Sequence, residues 1–170
     1  MEIRLSTLGD LLRIMEIIKD AQGYLATLKI DQWQDGYPDR FTIELDISNE
    51  DSYIVLNEED EIIGTTVFST KTERAYQHIE GNWLTPENSK YGVIHRLAVG
   101  DNFRKLGLAQ FVFNACEARL KKMKVNSMRI DTHKDNQGMQ YMLKKRGYQY
   151  CGVILLQNGD ERLAFEKIIN

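Results

Sequence analysis

The passage from residue 91 to residue 109 limits what this chain can become more than any other stretch. It opens on β-rich residues ending at Leu97-Ala98-Val99 and crosses the polar run Gly100-Asp101-Asn102-Phe103-Arg104-Lys105. It then enters a helix expected over residues 106–123, with Ala109, Val112, Phe113, Cys116, Leu120 and Met123 along one stripe. A helix start fed by such a loop presents unpaired backbone N–H groups and a partial positive charge, which together form a phosphate site. Gly107 and Ala109 are small where the backbone must approach an anion, and Arg104 and Lys105 add positive charge. Neither G-x-x-x-x-G-K-[ST] nor G-x-G-x-x-G occurs. The spacing that does occur is R-x-x-G-x-A.

The rest of the chain reads as alternating elements. A short strand leads into helical periodicity over residues 7–28, carried by Leu8, Leu11, Leu12, Met15, Ile18, Ala21 and Leu25. A turn-rich loop follows at 32–38. Phe41, Ile43, Leu45 and Ile47 then alternate in a way that suits a strand or a helix equally. Residues 53–56 and 62–68 predict a hairpin around Asn57-Glu58-Glu59-Asp60. A strand is expected at 127–132, a helix over 136–146 stopped by Gly147, and a final hairpin of 148–156 and 162–168 around Asn158-Gly159. The order predicts a mixed α/β sheet flanked by helices, in a single domain over residues 1–170.

Composition narrows the function. The formal charge is −3, from 22 basic and 25 acidic side chains, whereas nucleic-acid binding is driven by basic excess. No apolar run approaches the ~18 residues of a membrane span, and Met1-Glu2-Ile3-Arg4 has no signal-peptide core. No nucleic acid and no membrane partner is expected, and the cytoplasm is the expected location. Cys116 and Cys151 read as small core residues. The three histidines have no metal-ligand spacing, so no metal is expected. A homodimer would use the terminal hairpin or an edge strand, though nothing in the sequence specifies one.

The R-x-x-G-x-A block after Leu97-Ala98-Val99 resembles the pyrophosphate loop of the GNAT superfamily of acetyl-CoA-dependent acyltransferases. A second block, Asn136 through Gly147-Tyr148, resembles that family's helix opened by Asn and closed by Gly plus an aromatic. One helix and one strand separate the blocks, as in the family. The resemblance implies a GNAT-like fold with a mostly antiparallel sheet and a helix near residues 39–48. It implies N-acetyl transfer from acetyl-CoA directly to a primary amine. It places the cofactor on Leu97, Ala98, Val99, Arg104, Lys105, Leu106, Gly107, Leu108, Ala109, Asn136 and Leu143.

For the base, His95 is the first candidate. It lies on the presumed cofactor strand and shares a face with Leu97 and Val99 by the two-residue period, and imidazole exchanges protons near neutrality. It resembles a histidine placed similarly in arylalkylamine N-acetyltransferases. His133 and Glu80 are reserves. Many relatives carry a tyrosine acid where this chain has Leu143, and Tyr141 is about 200° away on the helix. Gln32, Trp33, Tyr37 and Trp83 are the candidate acceptor residues. The alternative is an acyl-CoA-binding module of this fold with weak or no catalysis, which the Leu143 replacement favours. Transfer of a longer acyl chain, or to a hydroxyl, is a further variant.

Overall fold

A computed structural model describes all residues 1–170. The chain first forms β1 (Glu2–Leu5), then α1 (Leu11–Thr27) and α2 (Arg40–Ser48). Next come β2 (Ser52–Leu56), β3 (Ile62–Ser69), β4 (Ile79–Gly81) and β5 (Gly92–Val99). The last elements are α3 (Leu108–Lys122), β6 (Ser127–Thr132), α4 (Gln137–Lys145), β7 (Gln149–Leu155) and β8 (Glu161–Ile168). The eight strands run in the order β1-β2-β3-β5-β6-β8-β7-β4. The β5–β6 pair is parallel, while the β1–β2, β2–β3, β4–β7, β6–β8 and β7–β8 pairs are antiparallel. The expected mixed sheet with helices is therefore present. No helix is long and apolar enough to cross a membrane.

Contacts divide the chain into two compact units, Met1–Ser69 with Ile94–Cys116, and Thr70–Val93 with Glu117–Asn170. In the first unit, α1 and α2 bury Leu11, Ile14, Ile17, Ile18 and Ile43 against Ile54, Leu56 and Ala98. The start of α1 is fixed electrostatically. Arg4 forks both oxygens of Asp10 at 2.9 Å, and Asp10 accepts the Thr7 N–H at 2.8 Å. The Arg4 bond comes first among the causes that lower the Asp10 carboxyl to about 2, against the cost of burial. The ambiguous alternation at 41–47 resolves as helix because Asp39 caps it, accepting the Thr42 N–H at 2.8 Å. Ile43 and Asp46 face inward, while Phe41 and Leu45 stay exposed.

The second unit is organised around Glu166, which is fully buried on β8. Its carboxylate accepts from Ser127 Oγ, Thr85 Oγ1 and the Leu84 N–H, and pairs with buried Arg129 at 3.2 Å. Burial alone would raise this carboxyl. The Ser127 and Thr85 bonds and the charge of Arg129 outweigh that and hold it below its ordinary range. Arg129 also lies over Trp83 at 4.3 Å and over Tyr91 at 4.2 Å.

Three boundaries differ from expectation. α3 begins at Leu108 rather than 106, because Lys105 and Gly107 hold φ of +65° and +78° and keep the backbone out of the helix. The strand β4 lacks a counterpart in the sequence reading, since three residues are too short to show a period. The final hairpin closes through residues 156–160 around Asn158-Gly159, one residue earlier than expected.

β4 reaches β7 through a crossing of two glycines. A Cβ on Gly152 would stand 2.2 Å from the Glu80 carbonyl oxygen, and one on Gly81 would stand 2.1 Å from that of Cys151. Gly152→Ala is therefore expected to cost at least about 2 kcal/mol, combining overpacking with a φ of +147°. Urea unfolding monitored by circular dichroism measures this, and a loss under about 0.5 kcal/mol would refute the crossing.

Candidate active site

The strand β5 and the turn after it carry most of the predicted residues. The β5–β6 ladder comprises Gly92↔Met128 and Val93↔Arg129 and ends there. Leu97 and Val99 are half-buried, but the Ala98 side chain is packed into the α1–α2 core, so only its backbone is available to a ligand. Leu108 is likewise a core residue at 2% exposure, and its methyls would meet a Cβ on Gly64 within 3 Å. Its N–H still belongs to the first turn of α3, where Phe111 makes the bond back to Gly107 O and the preceding N–H groups have no helical acceptor. Lys105, Leu106 and Gly107 are exposed, and nothing lies within 4 Å of where a Gly107 Cβ would stand. The space beside Gly107 is open, and Ala109 adds little bulk to the turn.

Arg104 takes a different place from the one its charge suggested. Its guanidinium donates to Asp101 and, at 3.1 Å, to the Asp20 carbonyl, and it stacks on Tyr24 at 3.8 Å. It fastens the loop to α1, because Asp101 at i−3 and the Tyr24 face satisfy it locally. The exposed cation of the motif is Lys105.

The second predicted block is built for packing. Asn136 caps α4, its side-chain oxygen accepting the Met139 N–H at 3.1 Å. Leu143, expected beside the cofactor, is fully buried, and its carbonyl accepts N–H groups of Arg146 and Tyr148. It is a core residue with no group to offer a ligand. Tyr141 is 68% exposed.

The base candidates separate. His133 is 9% exposed, and its Nδ1 accepts the Asp135 N–H at 3.2 Å, closing the turn before α4. Glu80 is exposed on β4, paired with Val153. His95 lies on β5, and its carbonyl accepts from Thr66 Oγ1 at 3.3 Å. Arg96, between His95 and Leu97, holds a φ of +50°. A left-handed residue interrupts the two-residue period.

Of the acceptor candidates, Trp83 is anchored, its Nε1 donating to the Tyr76 carbonyl at 3.0 Å. Trp33 packs on the α1–α2 core, and the Gln32 carbonyl accepts from Gln34 Nε2 at 2.9 Å. Tyr37 differs, because its hydroxyl accepts from Arg96 NH1. Arg96 NH2 donates to Asp46 Oδ1 at 2.7 Å, and His95 acts electrostatically on the same carboxylate. Thus Tyr37, Arg96 and Asp46 form one hydrogen-bonded cluster, with His95 next to Arg96 in sequence. The sequence reading omitted Arg96 and Asp46. The signal for Asp46 was its spacing of i+3 from Ile43, which puts a carboxylate on the buried face of α2. Burial raises the Asp46 carboxyl, opposed chiefly by the charge of Arg96.

Comparison with known proteins agrees with this architecture. Residues 13–148 match the family described as Acetyltransferase (GNAT) family. The chain belongs to the GNAT acetyltransferase family. It is an acyltransferase. A GNAT-family acetyltransferase from Streptococcus agalactiae is 35% identical, with a TM-score of 0.87 over 99% of this chain and 95% of that one. The Ribosomal-protein-alanine N-acetyltransferase of Brucella melitensis shares the fold at 16% identity and a TM-score of 0.69, covering 99% of each chain. The phosphinothricin acetyltransferase of Sinorhizobium meliloti, solved in complex with AcCoA, shares it at 12% identity. Its TM-score is 0.67 over 99% of this chain and 88% of that one. No curated protein matches this chain by sequence.

Removing Arg96 leaves Asp46 buried without its cation. Arg96→Met is expected to destabilise the enzyme by about 3 kcal/mol at pH 8. Because burial raises the Asp46 carboxyl, its charge becomes costly only above its folded pKa, and protonation at lower pH relieves the cost. The loss should therefore shrink between pH 8 and pH 5 in urea melts. A pH-independent loss would show that Asp46 is not the group left exposed to the deficit.

Proposed function

We propose that this GNAT enzyme transfers acetyl from acetyl-CoA directly to a primary amine within a ternary complex. The observation that carries the reading is the β5–turn–α3 passage, which leaves open space beside Gly107 and starts a helix, whose first N–H groups have no partner within the helix itself. Those groups suit a diphosphate, with Lys105 as the neighbouring cation. The backbone of Leu97 to Val99, on the strand whose ladder to β6 ends after Val93, suits the amides of the pantetheine arm. Bound acetyl-CoA supplies an activated thioester carbonyl. The residues of this chain bind it, orient the amine and take the amine's proton.

That proton step needs a base, because an alkylammonium with a pKa of about 10.4 is almost entirely protonated at neutral pH. His95 is the group proposed for it, and Tyr37, bonded to the adjacent Arg96, is the acceptor-side residue. No tyrosine stands at Leu143, so the departing thiolate, a weak base with a pKa near ~8.5, is left to water or another donor.

Calorimetric titration of acetyl-CoA is expected to show binding that Gly107→Val weakens at least about tenfold. The branched side chain there would be strained at φ +78° and would put bulk into the open space beside the turn. Thiol release against a mixed amine panel then identifies the acceptor class, and His95→Gln is expected to lower kcat/KM about a hundredfold or more. Binding without release on any amine would favour the non-catalytic module, a reading supported by the buried Leu143.

A further inference from the structure

The formal charge of −3 conceals a segregation. The unit Met1–Ser69 with Ile94–Cys116 holds 8 basic and 16 acidic side chains, whereas Thr70–Val93 with Glu117–Asn170 holds 14 and 9. The excess in the second unit collects where α3 and α4 end. Glu117 on α3 accepts from Arg146, just past α4, and from Lys167 on β8, each at 2.9 Å. That carboxylate therefore joins the last turns of α3 to the end of α4. Lys121 follows it at i+4 on the same helix face. Lys122 and Lys124 come next, and Lys144 and Lys145 directly precede Arg146. All five lysines are exposed. Asp and Glu are absent from residues 118–130 and 136–159, and Glu117 is already shared between two cations. A helix C-terminus favours a cation or two through its dipole. It gives no reason to gather five lysines at one junction, where like charges repel.

An aromatic ring stands with them. Tyr141 is 68% exposed on α4, and Lys144 and Lys145 lie three and four residues on, along the same exposed face. We propose that this basic face binds single-stranded nucleic acid, the lysines neutralising successive phosphates and Tyr141 stacking on a base. Lysines alone would serve any polyanion. The exposed ring selects nucleic acid over an acidic polypeptide, because every base offers a π-face. Neither lysine at a phosphate nor a stacked tyrosine reads a base edge, so little sequence preference is expected. The proposal uses none of the residues assigned to the transfer reaction.

The test is fluorescence anisotropy of a labelled single-stranded RNA of about 12 nucleotides, titrated with the full chain in low salt and excess acetyl-CoA. Binding is expected, weakening steeply as salt rises. Lys144→Glu combined with Lys145→Glu should weaken it at least about tenfold, and Lys29→Glu, an exposed reversal in the other unit, should not. Tyr141→Ala should weaken it about fivefold or more without changing the salt slope. Circular dichroism confirms that each variant is folded, which is expected because all the changes lie on exposed side chains. Absence of binding in low salt overturns the proposal. So does competition by acetyl-CoA, which would place the RNA at the cofactor turn. Equal binding of polyglutamate, with no effect of Tyr141→Ala, would make the face a site for acidic polypeptide and likewise overturn it.

Discussion

A left-handed arginine in the middle of a strand is the constraint on which the site depends. Such a conformation costs a non-glycine residue about 1–2 kcal/mol, and Arg96 keeps it because Asp46 and Tyr37 hold its guanidinium. Those contacts tie three separate segments together: the loop before α2, α2 itself and β5. Strain at this position is thus offset by an ion pair at 15% and 11% side-chain exposure, where solvent screening is weak.

The second unit solves a different problem with a similar device. Glu166 and Arg129 are both essentially dry, and a buried ion pair is stable only when its remaining lone pairs and protons are satisfied. Ser127, Thr85 and the Leu84 N–H saturate the carboxylate, while Trp83 and Tyr91 cover the guanidinium. The result pins residues 83–85 to β6 and β8. It also explains why Trp83, an aromatic in a polar loop, serves as an anchor.

The sequence displayed much of the fold, and the β5–turn–α3 segment from which the candidate site is proposed. The helix over α1, the β2–β3 hairpin and the β5–turn–α3 passage were legible because each carries its own period and punctuation. Others were not. Residues 41–47 fit two periods, and the cap at Asp39 decided between them. β4 exists because two glycines let two backbones approach, a contact between distant segments that no local pattern encodes. Arg104 looked like an anion ligand because its charge is visible in the sequence, whereas Asp20 and Tyr24, which hold it, lie about eighty residues away.

By itself, the sequence determined most of the order of elements, the polar turn between β5 and α3, and the resemblance to the family whose model matches residues 13–148. These depend on residues near one another in the chain, where propensity and spacing act directly. Only the tertiary structure decided how the candidate side chains are partnered. It buried Leu143, turned Arg104 to α1 and brought Asp46 and Tyr37 to Arg96 beside His95. Those outcomes depend on which side chains meet across long separations, and on the low-dielectric interior where an unpaired charge is costly enough to select its partner.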